Sequence, residues 1–179
     1  MADVDKKPPP QAEINEHPRL NPYMLAVFRV IIALLWIENS QWKRPPEFSS
    51  LRSFTEDAVD HPVFPPFSFI VENVVLPNFA LFGWLVLITE AALGAFLLVG
   101  LFTRFWAIVA IGQTLAIAMS QLNAPDEWEW AYYLMLAAHI GIFATAAGRS
   151  YGLDGLLRPL WARQVNAGSK LAPWLLRAS

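Results

Sequence analysis

Three ionisable residues, Arg29, Glu90 and His139, lie inside stretches of sequence that are otherwise apolar. A guanidinium, a carboxyl and an imidazole can together bind an anion, donate hydrogen bonds to a carbonyl, and take up or release a proton. At the centre of a hydrocarbon layer a charge costs of order 2.5–3.5 kcal/mol on insertion scales, so each is expected to be paired or to serve a ligand. Gln113 and Thr114 add neutral polar groups to another apolar stretch. A second polar group collects where the first apolar stretch ends: Glu38, Asn39, Trp42 and Lys43, close in depth to Gln121, Asn123, Trp128 and Glu129. The ordinary alternative for the first group is helix fastening by polar side chains. For the second it is an aromatic belt whose charges reach to water.

The elements that must position these residues are membrane spans. Of 179 residues, 55% are hydrophobic and 16% charged, with eight tryptophans and twelve phenylalanines, which places the chain in the membrane class. Residues 79–102 contain only Thr89 and Glu90 as polar side chains. At about 1.5 Å per residue that stretch can cross a hydrocarbon core of roughly 30 Å. Further spans are expected at about 23–42, 105–122 and 130–147, giving an all-α integral membrane four-helix bundle. Residues 1–22 are polar and proline-rich and read as a flexible arm, without the cleavage site of a signal peptide, so the first span is expected to remain as an anchor. The bundle domain is taken as 23–164 and the tail as 165–179.

The loop 43–78 is too long for a simple connection and is expected to be structured. Phe48 to Val59 has helical spacing, and Pro66 to Leu76 is apolar but too short to span, which suggests an interfacial or re-entrant segment. Past the fourth span, Leu153 to Gln164 combines leucines and Trp161 with Arg158 and Arg163, the pattern of a C-terminal helix lying in the interface, bent at Pro159.

Charge sets the orientation. Nine lysines and arginines fall in the arm, the second loop and the tail, against Lys43, Arg44 and Arg52 in the other loops, which are rich in Asp and Glu. The positive-inside rule then puts both termini in the cytoplasm and makes the 43–78 loop extracytoplasmic. The net charge of −2 argues against a nucleic-acid partner. With no cysteine there can be no disulfide, thiol nucleophile, Cys-ligated iron–sulfur cluster or attached c-type haem. One intramembrane histidine cannot supply two haem ligands, and His61 and the loop acids lack ligand spacing, so neither haem nor a metal is expected.

Measured along ideal helices from their cytoplasmic ends, Arg29 lies roughly 9 Å deep, Gln113 roughly 12, His139 roughly 14 and Glu90 roughly 18. Arginine's long stem can close the gap, so Arg29 and Glu90 are expected to pair or to share a ligand. Glu90 shares a helical side with Gly83, Val86 and Gly94 and should point into the bundle. His139 lies opposite the Ala137, Gly141 and Thr145 row, so it is expected to face another neighbour, a partner subunit or a lipid-side cavity.

Ala146 to Leu157, AAGRSYGLDGLL, is similar to the Gly-(Ala)-Gly-Arg-Tyr-Ser-Leu-Asp signature of the DoxX/DoxD family, with Tyr and Ser exchanged. Arg29 followed by Lys43, Glu90 ahead of the Gly100 to Arg104 turn, and the Trp-Glu-Trp-Ala-Tyr-Tyr start of the fourth span add to the resemblance, which covers about Phe28 to Leu157. It departs where the family usually has a glycine-containing stretch before Lys43.

The resemblance implies a small four-helix membrane protein, whose DoxD members form the small subunit of a thiosulfate:quinone oxidoreductase. On that basis the chain would be a membrane subunit passing electrons from a small reductant, such as thiosulfate, to quinone in the cytoplasmic membrane of a prokaryote. Arg29 or His139 would hold a quinone carbonyl, Glu90 would handle the proton, and Gln113, Glu38, Trp42 and Lys43 would line the head-group site. The alternative is a non-catalytic anchor or accessory subunit that seats partner subunits or further copies of itself. A transporter is a more distant third, since no inverted repeat is visible.

Overall fold

In the computed structural model, which describes residues 20–179, the secondary structure is helical and no strand occurs among the described residues. The expected arm 1–22 lies almost wholly outside them. Helix α1 (Pro22–Ser40) starts where sequence rules place it: Asn21 accepts a 2.9 Å hydrogen bond from the Tyr23 N–H, and Pro22 occupies a first-turn position. The loop carries α2 (Ser49–Asp60) and then α3 (Pro65–Ile70), which begins on two prolines. From there the chain stays helical, through a π-helical stretch (Val71–Val75) and one 3-10 turn (Leu76–Asn78), into α4 (Phe79–Val99). Pro77 sits at the irregularity, where its missing N–H and its ring prevent a regular α ladder.

The apolar segment 66–76 therefore does not turn back on itself. It is the first part of a 35-residue apolar helix, Pro65–Val99. Then follow α5 (Thr103–Gln121), α6 (Trp130–Thr145), α7 (Leu153–Asn166), which runs through Pro159, and α8 (Ala172–Ala178).

Helices α1, Pro65–Val99 and α5 are long and apolar enough to cross a membrane, and α6 is a shorter apolar helix of 16 residues. The chain is an all-helical membrane protein, and its surface says the same. Met24, Val27, Ile31, Leu81, Ile88 and Ile108 are all more than half exposed, so the outward faces are as apolar as the buried ones. That is stable only with lipid as solvent.

Inside, small residues let the helices approach. A Cβ on Gly94 would stand 2.6 Å from Ile37 Cγ1 and 3.4 Å from Ala33 O, so α1 and α4 touch nearly backbone to backbone. The other close pair is α5 with α6, and the two pairs meet each other much less extensively. Two seams result, α4 against α5 and α1 against α6.

At one end α2 covers the first seam, packing Phe48 and Leu51 on Phe79. It is tied to the end of α5 by Gln121 Nε2, which donates to Phe54 O and Asp57 Oδ2, and by Asn123 Nδ2, which donates to Pro62 O at 2.9 Å. Gln121 and Asn123 thus fasten the loop.

At the opposite end the segment 165–179 is more than a tail. Arg158 donates to Leu176 O at 2.8 Å and Arg149 to Ser179 O at 3.0 Å, placing cations on the open carbonyls at the end of α8. Burial, followed by the nearness of Arg158 and Arg104, lowers the Arg149 guanidinium from its ordinary value.

Candidate functional site

Glu90 is completely buried midway along α4, on the side that carries Gly83 and Gly94, as its helical face requires. Its partner comes from the end of α1. Beyond Ser40 the chain tightens into turns, with Gln41 N donating to Glu38 O and Lys43 N to Ser40 O, which folds Lys43 back over the helix end. The Lys43 ammonium then donates to Asn39 O at 2.8 Å and stands 2.6 Å from Glu90 Oε2. Trp42 Nε1 donates to Asn39 Oδ1 at 3.2 Å, and its ring lies 4.2 Å from the same ammonium. From α5, Gln113 Nε2 approaches Glu90 Oε1 at 3.4 Å. The pair is ionic rather than an in-line hydrogen bond, so Oε2 keeps acceptor capacity.

These groups form the polar floor of a cavity of about 310 Å³ in the α4–α5 seam. Its walls are apolar and aromatic, among them Trp42, Phe54, Phe67, Phe82 and Ile117. An otherwise apolar chamber with one carboxylate, one ammonium and the amides of Gln113 and Asn39 can orient a lipophilic ligand by its polar head and exchange a proton with it.

Three of the residues expected at a site, Lys43, Trp42 and Gln113, thus gather around Glu90. Glu38 does not: it is exposed and lines neither this cavity nor the one described below.

Arg29 does not pair with Glu90 either. Its Nη1 donates to Leu97 O (2.5 Å) and Leu98 O (2.7 Å), and its Nη2 to Tyr151 O (3.3 Å). The reason is axial position. Arg29 is level with the last turn of α4, seven residues or about 10 Å along the helix from Glu90, where unpaired carbonyls at a negative helix end attract a cation first.

Asp154 is the counterpart on the next helix. It is fully buried, and its carboxylate accepts from Phe102 N (2.7 Å), Thr103 N (2.9 Å) and Thr103 Oγ1 (2.6 Å), capping α5 with a negative charge. Asp154 N donates to Gly100 O at 2.8 Å, and Gly100 itself ends α4 in the left-handed conformation (φ 70°). At Gly148 a Cβ would lie 2.5 Å from both Asp154 Oδ2 and Thr103 Oγ1. The Gly-Arg-Ser-Tyr-Gly-Leu-Asp run is therefore a clasp that ties the α4–α5 turn to the start of α7. Sequence reasoning had not assigned Asp154 a role, although the helix N-terminus after Phe102 supplied the signal.

The family model described as "TQO small subunit DoxD" matches residues 24–176, a range that takes in the clasp, the buried pair and most of α8. The chain belongs to the DoxD family. Comparison with curated proteins and with solved structures finds no match. The DoxD family description makes the chain a membrane subunit.

His139 occupies the other seam of this DoxD chain. It is buried, and its Nε2 accepts a 2.8 Å hydrogen bond from Trp36 Nε1, itself buried on α1. Both line a second cavity of about 250 Å³ with Ile32, Leu35, Met135 and Asn39. The α6 face opposite Ala137 is thus turned toward α1, and Asn39 lines both cavities.

Proposed function

We propose that this DoxD protein is the membrane subunit of a quinone-linked oxidoreductase, and that the α4–α5 cavity receives the quinone head group. The observation that carries the reading is the Lys43–Glu90 pair at the floor of an aromatic-walled chamber in an apolar bundle. A bound quinone would supply the two-electron acceptor chemistry. The chain's own part is to seat and protonate. Lys43 and Gln113 have N–H groups to orient an oxygen, Trp42 and Phe54 offer ring faces, and Glu90 holds a proton acceptor away from bulk water. Without a cysteine, the chain has no thiol or Cys-ligated cluster to take part in the electron donor's chemistry, which this reading assigns to the reductant or to a partner subunit. A small sulfur compound such as thiosulfate fits the family description.

The test is quinone binding and reductant-dependent quinone reduction by the protein purified with its native partners. Glu90→Gln is expected to lower turnover at least ~100-fold, the usual scale of a positioned proton-transfer group. Unchanged turnover, or no binding of a short-tailed quinone by the wild-type protein, overturns the reading.

A second reading, a non-catalytic anchor, draws on the clasp and on Gln121, where buried polar groups serve only to fasten helices. It predicts that Glu90→Gln leaves turnover intact while mild-detergent preparations still carry partner subunits.

We propose that both ends lie on the cytoplasmic side, from the distribution of Lys and Arg, and, from the family likeness, that the membrane is the cytoplasmic membrane of a prokaryote. The cysteine-free background makes labelling direct. An impermeant maleimide added to intact cells should modify Asp60→Cys on α2 and leave Arg163→Cys on α7 untouched. The reverse pattern inverts the topology.

A further inference from the structure

The end of the bundle that carries α7 and α8 gathers positive charge that the architecture does not use up. From residue 145 to residue 179 the cations are Arg149, Arg158, Arg163, Lys170 and Arg177, and the one acid is Asp154. Asp154 has both oxygens engaged at the start of α5, which makes it a poor partner for any of them. Neither ion pair found among the described residues, Lys43–Glu90 or Arg52–Glu56, lies at this end.

Three guanidiniums converge there. Arg149 Nη2 donates to Ser179 O at 3.0 Å and Arg158 Nη1 to Ser179 Oγ at 2.8 Å, so both reach atoms of one buried residue. Arg104, in the first turn of α5, lays its guanidinium over the Phe143 ring at 4.5 Å. Its side chain makes no hydrogen bond among the described residues, and only its Nε is enclosed, which leaves the two terminal nitrogens at the surface. Arg149 is exposed and Arg158 partly buried, each with one terminal nitrogen uncommitted. Burial, and then the nearness of Arg158 and Arg104, lower the Arg149 guanidinium, as unrelieved like charge requires. Even a carboxylate at Ser179, counted with Asp154, would leave the three guanidiniums in excess.

The surface around them is apolar. Phe105 and Ile108 on α5, Leu156 and Leu160 on α7, and Leu171 and Trp174 around the start of α8 are all at least half exposed. Such side chains are stable where acyl chains meet head groups, which is the depth at which arginines encounter phosphate. A guanidinium fork matches phosphate oxygens two at a time.

We propose that Arg104, Arg149 and Arg158 form a binding site for the phosphate of an anionic phospholipid, whose acyl chains lie along the apolar surface beside α5 and α7. The site shares no residue with the Lys43–Glu90 chamber, and neither depends on the other.

The full chain, purified in mild detergent, is titrated with phosphatidylglycerol, and bound lipid is counted by native mass spectrometry in about 0.2 M ammonium acetate, where attraction acting at a distance is largely screened. The first phosphatidylglycerol is expected to bind at least about tenfold more tightly than phosphatidylcholine, whose head group carries its own cation. Because Arg149 and Arg158 also hold α8, the deciding variant is Arg104→Gln, which breaks no hydrogen bond and should leave the lipid-free Tm unchanged. It should weaken phosphatidylglycerol binding about tenfold, Arg104→Lys about threefold, and Lys170→Gln, on the α7–α8 linker outside the cluster, less than about twofold. Equal affinity for the two lipids, or an Arg104→Gln affinity equal to wild type, overturns the proposal. So does an equally large loss in Lys170→Gln, which reduces the effect to general surface charge. Inorganic phosphate at the same concentration as the lipid should not displace it; if it does, the site belongs to a free anion and the lipid assignment falls.

Discussion

Two buried polar clusters sit at different levels of the same bundle and are built on opposite principles. In the clasp between the α4–α5 turn and α7, Asp154 has both carboxylate oxygens engaged by α5, and Arg29 uses both terminal nitrogens on backbone carbonyls. Around Glu90 the partners are sparser: one ammonium, one amide at 3.4 Å, and a cavity beside them. The clasp contains the most recognisable run of sequence, and its Asp154 carboxylate and the two terminal nitrogens of Arg29 are all engaged, leaving only Arg29 Nε without a partner. The Glu90 cluster, with spare capacity, is scattered over three elements and makes no compact motif. The signature of this chain therefore marks architecture, and the chemistry has to be sought where the hydrogen bonding is incomplete.

The contrast can be broken at its strongest point first. Asp154→Ala strips three acceptor contacts from the start of α5 and should destabilise the folded protein by about 3 kcal/mol or more, read as a drop in Tm in detergent, with Asp154→Asn intermediate. A Tm equal to wild type would show that the clasp is decorative.

The next effect separates charge from function. Glu90→Leu alone strands the buried Lys43 ammonium and should cost about 3 kcal/mol, whereas Lys43→Met combined with Glu90→Leu should recover most of that stability. If the double variant is no more stable than the single, the two residues are not coupled as the 2.6 Å contact implies.

The smallest effect concerns the second seam. Trp36→Phe removes one N–H donor and some volume and should cost about 1 kcal/mol. It should also free His139 Nε2 to carry the proton, visible as a changed tautomer in ¹⁵N spectra.

Much of the fold was legible because lipid imposes simple rules. Apolar length found four helices, three with ends within about two residues of those observed, whereas the second was read from residue 79 although the continuous apolar helix begins at Pro65; the spacing of Phe48 to Val59 found α2. The face of α4 correctly turned Glu90 inward. What stayed hidden was partnership. Arg29 and Lys43 are both cations flanking the same span, and only the antiparallel packing of α1 on α4 decides that Lys43 reaches Glu90 while Arg29 meets the helix end. Helix α8 was missed because seven residues give too little periodicity, and its anchoring by Arg149 and Arg158 is tertiary. The histidine's neighbour was invisible for the same reason, since nothing in a single helix names the indole across a seam.

Asn39 belongs to both chambers, with its amide oxygen tied to one tryptophan and its main-chain oxygen to the lysine. Any guest that rotates this amide on one side rearranges the wall on the other. A ligand that turns it in the Lys43–Glu90 chamber would therefore also reshape the lining beside Trp36 and His139. A single asparagine would make the two seams correspondents rather than mere neighbours.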